Sequence, residues 1–121
     1  EIIKSPKEIK GVNVYKGKVD AAGMDELKSM GDDLRNKIKH GVGLLVTEVN
    51  GKVMMAAVVN DDLIKDKKLQ AGKLVGDTAK IVGGGGGGRP HLATAGGKDT
   101  SKIDEALEKF DEIVESYLKI T

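Results

Sequence analysis

The chain has 121 residues, 39% hydrophobic and 32% charged, with a formal charge of +1; this suits one globular domain over residues 1–121 and excludes a second domain or a disordered polyelectrolyte. Three aromatic residues (Tyr15, Phe110, Tyr117), two histidines and no cysteine exclude a surface of ranked stacking rings, a thiol nucleophile, a disulfide frame and a zinc–cysteine cluster. Residues 98–121 carry four Lys against seven acids, leaving 16 Lys/Arg against 12 acids in residues 1–97, so the mildly basic body permits a polyanion partner on one face.

The chain opens on Glu1-Ile2-Ile3-Lys4, with neither an initiator Met nor the apolar run of a signal peptide, and no later stretch approaches the ~20 apolar residues of a membrane span. The expectation is a soluble, cytoplasmic piece of a longer protein with no membrane partner. Val12, Val14 and the alternation through Tyr15-Lys16-Gly17-Lys18-Val19 predict an edge strand whose lysines discourage further pairing. Met24, Leu27, Met30, Leu34 and Ile38 recur at helical spacing with charged residues between, the stripe of an amphipathic helix ending near Gly41. Its methionines read as core filler, and His40 as a cation complementing the helix dipole. Two apolar runs, Val42 to Val49 and Val53 to Val59, flank Asn50-Gly51, a pair that accepts two positive φ angles. They predict a hairpin lying centrally in a sheet covered on both faces.

Asn60-Asp61-Asp62 forms a cap region before a short charged turn, and Ala71, Leu74, Val75, Thr78, Ala79, Ile81 and Val82 mark a second helix. Gly72 and Gly76 share one face of it, which predicts close packing against a neighbour ahead of a ligand role. Gly83 to Gly88 lead through Arg89-Pro90 to a small-residue strand, His91-Leu92-Ala93-Thr94-Ala95. Ser101 to Asp104 resembles a capping box, and Ile103, Leu107, Phe110, Val114 and Tyr117 form the apolar stripe of an acidic terminal helix. The order β-α-β-β-α-β-α makes an α/β layered sheet with a central β-hairpin and a glycine-rich loop before the last strand.

Six consecutive glycines satisfy a dinucleotide fingerprint trivially, but they follow a helix and precede a strand, the reverse of the polarity that sets pyrophosphate on a helix N-terminus. No Lys-Ser/Thr follows them, as a P-loop requires. Two readings of the run stand. One is bare backbone whose amides approach a phosphate or sugar beside Arg89; the other is a flexible connector. His91 has no Ser, Cys, Asp or second His at useful spacing, so a structural place at the strand entrance outweighs a general-base or phosphate role. No carboxylate pair falls on a buried face, and no catalytic set, metal site or cofactor is expected.

The stretch Leu69-Gln70-Ala71-Gly72-Lys73-Leu74-Val75, then Ile81-Val82, the glycines, Arg89-Pro90-His91-Leu92-Ala93-Thr94-Ala95 and Gly96-Gly97, strongly resembles the C-terminal domain of alanyl-tRNA synthetases, a member of the DHHA1 family. It departs at His91-Leu92-Ala93-Thr94, where that family more often shows an acidic residue and then Gln. The resemblance implies a non-catalytic module that grips the outer corner (elbow) of tRNA(Ala) and helps aminoacylation and editing domains act on one tRNA. Candidate RNA contacts are then Lys73, Lys80, Gly84, Gly85, Gly86, Gly87, Gly88, Arg89 and His91. It also implies that ATP with magnesium and the editing zinc belong to a parent alanine–tRNA ligase, with no cofactor in this piece. Partners are tRNA(Ala), other domains of the same synthetase, and a homo-oligomer formed through the upstream segment. Within the family, the alternative is the substrate-holding domain of a DHH-type phosphoesterase, which favours glycine joined directly to His where Arg89-Pro90 intervenes. An oligomerisation module, resting on the apolar stripe of residues 103–117, is the reading from a different class.

Overall fold

In β3 (Gly41–Val49) and β4 (Lys52–Val59), both alternating sets of side chains are largely apolar and buried, so a sheet built on them must be covered twice. The structure, a computed structural model, describes residues 6–118 and meets that demand. Val42, Leu44 and Val46 of β3 join Val53, Met55, Ala57 and Val59 of β4 in one core, under α2 (Asp61–Lys67), α3 (Ala71–Ile81) and α4 (Ile103–Leu118). Leu45, Ala56 and Val58 enter a second core under α1 (Met24–Lys37). This helix sits close because glycine stands beneath it: a Cβ on Gly43 would come 2.6 Å from Leu34 Cδ2. The predicted hairpin is present, with Val49 paired to Lys52 and φ of 52° and 75° at Asn50 and Gly51.

One sheet holds β1 (Lys7–Ile9), β2 (Val12–Lys18), β5 (Gly85–Gly88), β6 (Leu92–Gly97) and the hairpin, in the order β1-β2-β3-β4-β6-β5. β2 and β3 run parallel across α1, and the other neighbours are antiparallel. The stripe of α4 is buried inside the chain: Ile103, Phe110 and Val114 are enclosed, with Leu107 and Tyr117 packed against the same core. That removes the basis for reading it as an oligomer seam. Lys16 ties α4 to β2, its Nζ 3.0 Å from Asp111 Oδ2 and 2.7 Å from the Leu107 carbonyl.

The α/β class and the central hairpin stand, while several local expectations are corrected. β2 is a free edge only from Tyr15 to Lys18, because β1 folds back through Lys10-Gly11 and pairs with Val12, Asn13 and Val14. Helix α1 ends at Lys37 and Gly41 opens β3; the left-handed residue between them is His40, whose Nδ1 lies 2.5 Å from Asp62 Oδ2 instead of serving the helix end. The charged turn after Asn60 is a helix of its own, α2. The cap before α4 is Asp99, not Ser101: its carboxylate accepts the amide two residues on, at 3.0 Å, and opens a 3-10 turn at Thr100–Lys102. Hydrogen bonds from Ser101 hold the Asp99 carboxyl below its ordinary range. The glycine-rich loop is a strand, and this changes the site.

Candidate nucleic-acid interface

A run of glycines has no side chains to bury, so its place is set by backbone bonds and by what fits against it. Gly85–Gly88 form β5, with Gly85 opposite Gly96 and Gly88 opposite Ala93, neither a loop nor a connector. The Arg89 N–H donates to the Leu92 carbonyl at 3.1 Å. Because bonded pairs alternate along an antiparallel ladder, Gly87 and Gly85 exchange bonds with β6, while Gly86 and Gly88 turn their backbone groups outward. There α3 closes over them. A Cβ on Gly72 would lie 3.2 Å from the Gly88 oxygen and 3.3 Å from its nitrogen, and one on Gly76 would lie 3.5 Å from the Gly86 oxygen. The close packing predicted for Gly72 and Gly76 is therefore present, and the neighbour is the glycine run itself.

This arrangement turns the Gly85 and Gly87 amides into the sheet, sets the Gly88 backbone against α3, and leaves a flat face open with all four glycines exposed. A Cβ on Gly85 or Gly87 would meet nothing within 4 Å, whereas one on Gly84 or Gly86 would fall on the carbonyl oxygens of Gly96 and Thr94. Gly84 also donates its N–H to the Ala79 carbonyl at the end of α3.

The turn from β5 to β6 is pinned from both sides. The first amide of α3, on Ala71, donates to the Pro90 carbonyl at 2.8 Å, and Val59 at the end of β4 donates to the His91 carbonyl at 3.1 Å. The Val59 carbonyl accepts in turn from Arg35 Nε at 3.1 Å, and Arg35 also pairs with Asp61. Arg89 in this turn is exposed, while His91 is half-buried. Among the described residues the His91 ring has no hydrogen-bond or ionic partner. Lys73 and Lys80 are exposed on α3, about 20° apart around the helix at 100° per residue and next to its glycine face. Lys73 lies in the first turn, toward Arg89 and His91. Lys80 lies at the far end, 3.7 Å from Asp77, which also accepts the Tyr117 hydroxyl at 2.5 Å. Burial and that hydrogen bond push the Tyr117 phenol up to about 12.

Sequence reasoning missed Arg35, which acts through a carbonyl 24 residues away and leaves no local signal. It also passed over the lysines of α2, whose signal was the run Lys65-Asp66-Lys67-Lys68. A 520 Å³ cleft lies beside Arg35, His40, Asn60, Asp61 and Asp62, but Arg35 and His40 already hold the two Asp residues. Among the described residues no cluster of His, Cys, Asp or Glu could hold a metal, and no helix is long and apolar enough to cross a membrane.

Residues 10–116 match the model of the DHHA1 domain. The alanine–tRNA ligase of Pelotomaculum thermopropionicum is 50% identical over 113 residues, 93% of this chain and 13% of that protein. The alanine–tRNA ligase of Bacillus subtilis is 46% identical over 117 residues, 97% of this chain and again 13% of the relative. The chain thus spans 13% of the length of these curated relatives. Among solved structures, the C-Ala domain of Aquifex aeolicus alanyl-tRNA synthetase superposes with a TM-score of 0.82 at 25% identity, covering 92% of this chain and 98% of that one. The chain belongs to the DHHA1 domain family, in which it is similar to the C-terminal domain of alanyl-tRNA synthetases.

Proposed function

We propose that the chain is the tRNA-binding module of an alanine–tRNA ligase, holding the outer corner of tRNA(Ala) while aminoacylation and editing domains elsewhere in the protein act on its acceptor end. The observation that carries this reading is the bare face of β5 over Gly85 and Gly87, on the side of the sheet away from α3, with the exposed Arg89 next along the chain and the exposed Lys73 on α3 behind it. A base or ribose can lie flat on backbone that has no side chains in the way, and the cations beside it take the phosphates. Because the Gly85 and Gly87 amides face β6, the contact over these two residues is a plane with flanking charge rather than an amide cradle. Lys80 extends the charge along α3. Beside α3, α4 exposes Asp104, Glu105, Glu108 and Glu112, the last lining a cleft with Asp77 and Ile81 of α3, and these acids repel phosphates from that surface. ATP, magnesium and zinc belong, in this reading, to the rest of the protein.

The test is an anisotropy titration of the chain with a labelled tRNA(Ala) transcript and with a hairpin that lacks the elbow. Tighter binding of the folded tRNA is expected, with a log–log salt slope of roughly −0.7 to −0.9 per phosphate contacted. Equal affinity for both RNAs, or for any polyanion of like charge, overturns the elbow reading.

A further inference from the structure

We infer that the end of the sheet opposite the Asn50-Gly51 turn carries a second phosphate-binding surface, built on Lys10, Lys39, Lys65, Lys67 and Lys68, which meets RNA backbone beyond the glycine strand. It rests on the RNA-binding reading above. β2 and β3 run parallel with Asn13 opposite Gly41, so the segments that precede them, Lys10-Gly11 and Lys39-His40, lie at one end of the sheet. Asn13 joins them, its N–H donating to the His40 carbonyl and its Nδ2 to the Lys39 carbonyl, each at 3.1 Å. Helix α2 begins at that end, where the Asn60 N–H donates to the Gly41 carbonyl at 3.0 Å, and Lys67 lines a cleft with Lys10. The Ala71–Pro90 and Val59–His91 bonds bring the Arg89 turn and the start of α3 to the same end.

Two observations separate this surface from an ordinary solvated face. The first is pairing: none of the five lysines has an ionic partner among the described residues, although acids stand nearby. Asp61 is held by Arg35 and Asp62 by His40, while Asp66 shares the cleft of Lys10 and Lys67. The second is backbone conformation. Lys10 and Lys68 occupy the left-handed region, at φ of 51° and 59°, which side chains other than those of Gly and Asn disfavour. The hairpin at Asn50-Gly51 meets the same demand with Asn, at φ 52°. Lys68 closes α2 at a place where Gly is the usual choice. At both positions local stability is given up and an outward charge is gained.

Lys10→Asn and Lys68→Gly give each position a residue its backbone favours. In the full chain the double variant is expected to melt at a higher temperature than wild type and to bind the tRNA(Ala) transcript several-fold more weakly. Its salt slope should shrink by roughly 0.7–0.9 for each phosphate that the variant no longer neutralises. Unchanged affinity and slope overturn the proposal, and the lysines are then solvated tips. Should the double variant melt lower, Lys39→Gln with Lys67→Gln, neither at a left-handed position, must weaken binding in the same way, and failure there overturns it equally. Lys73→Gln with Arg89→Gln runs in parallel. Binding abolished in that variant but kept in the others leaves the glycine-strand reading in place and removes this surface, whereas a wild-type chain that binds no RNA removes both.

Discussion

Gly72 of α3 lies so close to Gly88 of β5 that a Cβ on the first would stand 3.2 Å from the carbonyl oxygen of the second. One turn on, a Cβ at Gly76 would find the Gly86 oxygen at 3.5 Å, an ordinary van der Waals contact. A few tenths of an ångström therefore separate two substitutions of identical chemistry. Gly76→Ala is expected to raise stability by about 0.5–1 kcal/mol, the helix-propensity difference between the residues. Gly72→Ala has the same propensity advantage but presses on backbone that cannot rotate aside, so it should fall clearly short of that gain. Gly72→Leu should unseat β5. Thermal melts check all three, and a Gly72→Leu variant that melts like wild type would show that α3 is not seated on the glycine strand.

Within β5 the outcome alternates with position. Gly85→Ala and Gly87→Ala project into open space and should leave stability within about 0.5 kcal/mol of wild type, while raising a methyl from the bare face and weakening RNA binding. Gly86→Ala meets the Thr94 carbonyl and should cost about 1–3 kcal/mol or more, as overpacking does. Substituting all three together would confound misfolding with a blocked face. Affinity and melting temperature measured on Gly85→Ala and Gly87→Ala separate the two, and undiminished affinity at both sites would remove the flat face from the interface.

Charge reversal should divide along the faces of α3 and α4. Lys73→Glu and Arg89→Glu remove exposed cations near the glycine strand and are expected to lower RNA affinity and flatten its salt dependence. Lys109→Glu stands on the acidic helix and should change neither; Lys119, the other lysine near that end of the chain, lies outside the described residues. Titrations at several salt concentrations read this directly, and equal losses from all three variants would point to non-specific attraction.

The hydrogen bond between Tyr117 and Asp77 predicts an alkaline limb in stability. A free phenol titrates near 10, while burial and the Asp77 bond push Tyr117 up to about 12 in the folded chain. Folding thus favours the protonated phenol, so its contribution is whole below pH ~10 and disappears as pH climbs toward ~12. Tyr117→Phe removes that contribution, and the stability difference between wild type and variant should shrink across this window. Urea denaturation at stepped pH provides the comparison. A difference independent of pH would show that the phenol is not held by Asp77.

The sequence by itself determined the features that arise from local chemistry. Asn50-Gly51 specified its hairpin through two positive φ angles, the three-to-four spacing of Leu27, Met30, Leu34 and Ile38 specified the core-facing side of α1, and Gly72 with Gly76 announced a close neighbour. The resemblance to the alanyl-tRNA synthetase C-terminal domain was legible too, because it rests on a contiguous stretch. Only the tertiary structure decided what the glycine run is. Glycine has no periodicity to read and little strand propensity, and Gly85–Gly88 extend only because β6 offers a ladder and the bare face of α3 leaves room beside it. The basic end has the same origin. The charge count of residues 1–97 agreed with its sign, but Lys10 and Lys39 stand at one end because β2 and β3 are parallel, Lys67 joins Lys10 at a cleft through α2, and contacts over such distances in sequence leave no local trace.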